Sequence, residues 1–450
     1  MQRYQFIKEK GKPLYIQLYQ YLKNQILDGY LQNHEKLLSV RMCASQYQLS
    51  QTSVLKAYEK LLEEGLVQTK HKSGYFVCMN DTQRTLRKTI QSQQIQSSHS
   101  LIKVDLRSHS VSSSNFDKEL WNKCIKEVLD LKAVEQYGDA QGEQPLRIAL
   151  QKHAYEMRNV LCDIEQMIIG ASVQSLLYIF LGLLSKDDVI AMEEDAFPQA
   201  QFVFQQYGFQ VLLLKRKTQG IDLETLYANK VKILYLNVNS CGTTYQELNH
   251  QEKQALIKWA KDCDAYIIED DHNGELNYRH ESCACMQGNL IERICYIGSF
   301  SRILLPSIRI SYMILPKVFY QIYQKHHHEY GPTSSKIEQL ALSEYIIQGH
   351  MKRHIKRLKK LYYHKSLQLE QYLRFYFSDA KIQLKESSLA YLITLPRHVH
   401  IDLLKKEALN YNIVVEGTNH SFMIGFASIE TNQMEKVILF LAKLYEKYKK

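Results

Sequence analysis

Six short apolar runs, at 189–192, 211–214, 231–236, 265–268, 294–297 and 310–315, recur through the middle of this chain, with helix-patterned segments such as 251–261 between most of them. Apolar runs of this length without strict alternation suit strands that are covered on both faces. Parallel strands need a long crossover between them, and a helix is the usual one. The pattern therefore predicts an α/β fold over residues 103–450, a largely parallel sheet wrapped in helices. A long amphipathic helix is expected over 336–363 with Ile337, Leu340, Tyr345, Leu358 and Tyr362 inward. The tail from 381 to 450 alternates short strands and helices, as a small α+β subdomain does.

The first 79 residues have a different grammar. Leu14, Leu18, Leu22 and Ile26 recur every fourth residue and Gly29 supplies a stop, which predicts a first helix. Ser39 is placed to cap a second helix over 40–47, and Ser50 a third. On that third helix Val54, Ala57, Leu61 and Leu62 form an apolar stripe, and Gln51, Ser53 and Lys56 lie opposite. After Gly65 the period shifts toward two: 66–67 and 75–77 flank the basic stretch Lys70-His71-Lys72-Ser73-Gly74. Three helices and a basic hairpin make a winged helix-turn-helix, whose third helix enters the major groove. A small helical interaction module is the alternative. Eleven Lys and Arg stand against six Asp and Glu in 1–79, a net +5, so half of the chain's +10 sits here. Charge of that sign favours DNA. Residues 80–102 are rich in Gln, Ser and Thr, which predicts a flexible linker.

A chain of 450 residues with 45% hydrophobic content holds a large core and a further domain. Residues 1–12 are polar and charged, and no apolar run reaches the ~18 residues a bilayer span needs, so the expectation is a soluble bacterial cytoplasmic protein without a membrane partner. Nine cysteines, an odd number without a framework, predict reduced and mostly buried thiols. Cys283 and Cys285 form a lone C-x-C pair, and no metal site is expected.

The first segment resembles the GntR family of bacterial regulators almost end to end. The likeness is carried by Pro13-Leu14-Tyr15 and Gln17, by 37–41 ending in Arg41, by Leu49-Ser50, Thr52 and Val54, by Ala57-Tyr58, Leu61 and Glu64-Gly65, and by Ser73-Gly74 with Phe76-Val77. By that resemblance Arg41, the helix start (Ser50, Gln51, Thr52, Ser53, Lys56) and the wing (Lys72, Gly74) contact operator DNA. Two departures stand out: Leu38 where the family usually has Pro, and Gln51 in place of a frequent Arg. Gln51 can still read adenine through two hydrogen bonds. The basic part of the 336–363 helix (Lys352, Arg353, Lys356, Arg357, Lys359, Lys360) reads as a solvated face, with a second DNA contact as the alternative.

The remainder resembles the fold-type I, pyridoxal-phosphate-dependent aminotransferases. Tyr137-Gly138-Asp139, Gln141-Gly142 and Leu146-Arg147 match the signature with which that fold opens. Gly170-Ala171-Ser172 with Gln174, Glu269-Asp270-Asp271 and the stretch 298–309 match as well. Gly349-His350-Met351, His354-Ile355, Arg357 and 424–427 are typical of regulators that fuse a GntR module to this fold, the MocR group. The stretch 298–309 reads as strand, polar anion-sized loop and strand, with Ser299, Ser301, Arg302 and Arg309 facing a Gly-bounded turn.

The resemblance assigns a pocket to Ala171, Ser172, Phe197, Asn239, Asp270, His272, Ser299, Ser301, Arg302 and Arg309. In it Asp270 pairs with a pyridine nitrogen, Phe197 stacks on a ring, Asn239 meets a ring hydroxyl and Ser172, Ser299, Ser301 and Arg309 hold a phosphate. Arg302 stands where the family has its Schiff-base lysine. A guanidinium stays protonated and is a poor nucleophile, so no internal aldimine and no turnover are expected at this position. His272 replaces a Tyr, Gln199 an Arg, and Met423 falls where the substrate-carboxylate Arg is expected. The chain is thus identified as a transcription factor with a catalytically inactive aminotransferase-like domain. That domain serves as sensor and homodimer scaffold, and it takes an anionic or phosphorylated effector without a covalent bond, or takes none. The competing class is an aminotransferase with an accessory DNA-binding domain; it needs another lysine, and Lys215 and Lys217 are the candidates.

Overall fold

The computed structural model describes residues 13–70, 73–79, 104–108, 110–111, 113–194, 197–215, 220–238, 248–279, 284–385, 389–396, 399–418 and 420–449. The chain divides into two compact units, Met1–Ser100 and Leu101–Lys450. The expected linker at 80–102 lies outside the described residues.

In the first unit α1 (Leu14–Asp28) stops at Gly29, whose φ of 86° suits a residue without a Cβ. Ser39 caps α2 (Val40–Tyr47) by accepting the Met42 amide at 3.3 Å. Then come α3 (Gln51–Glu63) and an antiparallel hairpin of β1 (Val67–Lys70) and β2 (Gly74–Val77). Leu18, Leu22, Ile26, Val54, Ala57 and Leu61 close one small core. One expectation fails on α3: Leu62 is 40% exposed, and Tyr58 takes its place inside. At ~100° per residue, Leu62 has rotated about 80° away from Val54, whereas Tyr58 stays on the stripe. The Tyr58 hydroxyl donates to the Leu38 carbonyl at 2.9 Å, which gives this buried phenol its partner.

The second unit opens with β3 (Val104–Asp105) and is built on a seven-stranded sheet. Its strands are β4 (Met167–Gly170), β5 (Val189–Glu193), β6 (Gln210–Leu214), β7 (Ile233–Asn237), β8 (Tyr266–Asp270), β9 (Ile294–Ser299) and β10 (Ser311–Ile314), in the order β4-β10-β9-β8-β7-β5-β6. The pairs from β6 to β9 are parallel, and β10 runs antiparallel to both β9 and β4. All six expected strands are present, and β4 is an additional one. Apolar residues of the same strands enter separate cores on opposite faces, Ile233 and Tyr235 in one and Leu234 and Leu236 in another. This explains why the runs showed no alternation. Gly298 lets β9 and β10 close up, since a Cβ there would sit 2.4 Å from the Tyr312 ring.

The single long helix expected over 336–363 is instead two, Lys336–Ile347 and His350–Tyr376, parted at Gly349 with φ 72°. Apolar periodicity continues across the break because both helices pack on the same core, so the pattern alone hid it. The tail is α+β as expected. It has a four-stranded antiparallel sheet of β11 (Lys381–Lys385), β12 (Ala390–Thr394), β14 (Glu416–Thr418) and β15 (Ser421–Gly425), in the order β11-β12-β15-β14, with the helices Ile401–Asn410 and Thr431–Tyr448. A short β13 (Ile413–Val414) pairs in parallel with β3.

Candidate functional site

Two places carry the chemistry, one in each unit. In the first, Arg41 on α2 and Gln51, Thr52 and Lys56 on α3 are exposed. The Ser50 hydroxyl accepts the Ser53 amide at 3.1 Å and lies 2.8 Å from the Ser53 hydroxyl. These two serines are thus tied to the cap and hold the helix start, while Gln51 and Thr52 project from it. Helix amides and a positive dipole end favour phosphate here. Gly74 is exposed at the hairpin with φ 109°, and Lys70 is exposed beside it. Lys72 lies outside the described residues.

In the second unit the strand ends of the central sheet line up polar residues from distant parts of the chain. Gly170, Ser311 and Ser299 stand in one register row across β4, β10 and β9, and Asn237 stands opposite Asp270 across β7 and β8. The Ser299 Oγ is 3.1 Å from the Ser301 Oγ and 3.2 Å from the Ser311 Oγ. Beyond Gly170, Ser172 caps the helix Val173–Leu181, accepting the Ser175 amide at 3.1 Å, and the Ala171 amide donates to Thr333 at 3.3 Å. Ser172, Ser299, Ser301 and Ser311 are therefore brought to one end of the sheet. Asn239 lies outside the described residues. Phe197 is half-buried at the start of the helix Pro198–Gln206.

The stretch 300–308 corrects the reading of a polar loop. Phe300, Ile303, Leu304 and Ile308 are all buried, and His354 binds the Ile303 carbonyl at 2.7 Å. The loop is a turn of core packing that takes Arg302 inside, at 6% exposed, while the Arg309 side chain stays exposed. Ser301-Arg302 and Pro306-Ser307 flank Ile303-Leu304-Leu305 with neither a helix nor a strand period, so nothing local showed that Ile303 and Leu304 are buried.

Burial dominates the electrostatics of this edge. It pulls the Arg302 guanidinium down to about 10, against the opposing pull of Tyr362 and Glu416. It pulls His272 down to about 3, helped by the Arg302 charge, so that imidazole is neutral at neutral pH. It raises Asp270 to about 7, although the Tyr235 hydroxyl, 2.5 Å from Oδ2, works in the other direction. The Arg302 Nε and Nη1 and the Asp270 Oδ1 have no hydrogen-bond partner among the described residues.

A charged network behind the edge escaped the sequence reading. Arg158 makes two bonds to Asp271, at 2.5 and 2.9 Å, and the Tyr296 hydroxyl donates to the same carboxylate at 2.7 Å. Glu269 accepts the amides of Met286 and Gln287 at 2.8 and 2.9 Å. His153 pairs with Glu275 at 2.9 Å. The acidic run 269–271 was visible in the sequence, but its partner Arg158, distant in the chain, carried no local signal. Of the three acids, Asp271 is neutralised, Glu269 is held by backbone, and Asp270 alone keeps an unclaimed oxygen among the described residues. Lys215, the described one of the two alternative amines, is exposed at the end of β6. A shallow cavity of about 200 Å³ between Ile221 and Leu256 includes none of these residues and has no pair of charges to match them.

Residues 14–77 match the family described as bacterial regulatory proteins, gntR family. The chain is similar to YdeL, an uncharacterised HTH-type transcriptional regulator of Bacillus subtilis, at 33% identity over 355 residues that cover 78% of this chain and 77% of YdeL. It is similar at 24% identity to the probable rhizopine catabolism regulatory protein MocR of Rhizobium meliloti, over 79% of this chain and 76% of that one. Among solved structures it resembles LysN, the alpha-aminoadipate aminotransferase of Thermus thermophilus complexed with N-(5'-phosphopyridoxyl)-L-leucine. The TM-score is 0.65 at 17% identity, covering 76% of this chain and 92% of LysN. That likeness shows a shared fold.

Proposed function

This chain belongs to the GntR-type transcriptional regulators that carry an aminotransferase-like domain, the MocR group, and from that premise we propose how its two units divide the work. As a DNA-binding regulator it reads an operator. In this reading the head is residues 1–79, joined by 80–102 to a sensor at 103–450, and Arg41, Ser50, Gln51, Thr52, Ser53, Lys56, Lys72 and Gly74 form its contact face. Arg41 and the amides at the start of α3 hold phosphate, and Gln51 reads a base edge. The large unit is a non-catalytic sensor and a homodimer scaffold in the bacterial cytoplasm, so two heads meet a repeated operator.

One observation supports the non-catalytic reading above the others: Arg302, at the position that the resemblance gives to the Schiff-base lysine, is a buried guanidinium just past the end of β9. Tested against pyridoxal phosphate, the residues present fit in part. Asp270 suits a ring nitrogen, Phe197 a ring face, and the serines a phosphate. Arg302 cannot condense with an aldehyde, so the covalent link does not fit and no transamination step is assigned. The site holds an anionic or phosphorylated effector without a bond to it.

Two measurements test this reading. Operator binding by the full chain, followed against salt with and without pyridoxal phosphate, should fall steeply with ionic strength. Borohydride treatment with equimolar pyridoxal phosphate, followed by peptide mapping, should give no stoichiometric adduct at any one lysine of the large unit. An adduct on Lys215, Lys217 or any other lysine of the large unit, together with amino-group exchange, would instead establish the enzyme reading.

A further inference from the structure

The sheet-edge site presents two separate demands for negative charge. The first is the serine cluster, where three hydroxyls lie within 3.2 Å steps of one another, on the same end of the sheet as the capped start of the helix Val173–Leu181. Hydroxyls and first-turn amides suit a phosphomonoester. The second is Arg302, which is buried and leaves Nε and Nη1 unclaimed among the described residues. Tyr362 and Glu416 feel its charge, yet neither takes a hydrogen bond from those two nitrogens. Burying guanidinium donors without partners is costly, and an anion of matching planarity removes the cost.

We infer that the effector is a phosphorylated carboxylate: its phosphate sits at Ser299, Ser301 and Ser311, and its carboxylate pairs with Arg302. This rests on the reading of the site as a non-covalent anion site and names the second group it selects. A carboxylate fits better than a second phosphate, because one buried guanidinium balances one negative charge, while Arg309, the other arginine of this stretch, is exposed. An aldehyde brings no charge to Arg302, and an ammonium is repelled by it. Where an aminotransferase chooses an aldehyde by bonding to it, this site chooses the acid by pairing with it.

The experiment uses the full chain and three compounds that share a ring and a phosphate: pyridoxal phosphate, its analogue with the aldehyde replaced by a carboxylate, and pyridoxamine phosphate. Affinities come from calorimetry, with inorganic phosphate as competitor. The expected order is carboxylate, then aldehyde, then aminomethyl. The first step is about tenfold or more, the yield of one charge-assisted pair. Arg302→Gln should collapse that order to within about threefold, with all three compounds still displaced by phosphate. Arg302→Lys should yield a borohydride-reducible adduct with pyridoxal phosphate and lose the carboxylate preference. Equal affinities with phosphate competition intact would overturn the inference and leave the anion-site reading standing. Failure of all three compounds and of phosphate to bind, in a protein whose Arg302→Lys form also takes no adduct, would overturn both.

Discussion

The exposed face of α2 and α3 and the sheet edge are both built from short polar side chains and cations, yet they treat charge in opposite ways. On α3 the charges are exposed, and the folding energy resides in an apolar core of Leu18, Val54, Ala57 and Leu61 beneath them. At the sheet edge Arg302, Asp270, Asp271 and Arg158 are all buried. Removing an exposed cation changes what binds and leaves the fold alone, because water solvates either state. Removing one of a buried pair strands the other in a low-dielectric interior. The same residue types thus make an exposed polar face in one unit and a buried charged cluster in the other.

Five substitutions break or sharpen this contrast. The largest effect is expected for Arg158→Ala, which leaves the buried Asp271 carboxylate without the cation that pairs with it. The large unit should lose about 3–5 kcal/mol in urea unfolding; a loss under about 1 kcal/mol would mean that the pair is not a structural anchor. Next comes Asp270→Asn. The folded carboxyl is held near 7 against 3.8 unfolded, so it stays protonated in the fold while the unfolded chain ionises as pH rises from about 4 to about 7. Ionisation therefore works against folding at the upper end. The variant should gain more stability at pH 8 than at pH 5, by on the order of 2 kcal/mol. A pH-independent difference would show that Asp270 is ionised in the fold at all these pH values.

Arg41→Ala makes the opposite case. Unfolding midpoints should stay within about 0.5 kcal/mol of the parent, while operator affinity falls about 1–2 kcal/mol and the salt slope drops by about one counterion. Equal damage to folding by Arg41→Ala and Arg158→Ala would erase the distinction between the two sites. The smallest effect belongs to Ser50→Ala, which removes the bond to the Ser53 amide. It should cost about 1 kcal/mol of stability in the first unit and weaken binding to every DNA sequence alike. Gln51→Ala, in contrast, should relax the preference at one base position, and comparing the two by selection from a randomised operator separates positioning from reading.

Most of the reading head was legible in the chain because its signals are local. A cap lies within three residues of the amide it accepts, as with Ser39 and Met42 or Ser50 and Ser53. A turn declares itself through Gly29, and a strand through its own run of residues. Even there Tyr58 displaced Leu62, since two apolar residues four apart compete for one stripe and helix phase decides between them. In the large unit the strands could be read, but not their order, nor the break at Gly349, nor the burial of 300–308. Each of those depends on what packs against the segment.

The sequence by itself determined six of the seven strands of the central sheet, where the helices of the first unit begin and end, and that position 302 holds a group unable to condense with an aldehyde. Only the tertiary structure decided that this guanidinium is buried, that Arg158 pairs with Asp271 while one Asp270 oxygen has no partner among the described residues, and that Ser299, Ser301 and Ser311 share one end of the sheet. Backbone conformation and covalent reactivity belong to a residue and its near neighbours. Desolvation and charge pairing belong to whatever the fold carries into contact, and residues more than a hundred positions apart meet only once the sheet has closed.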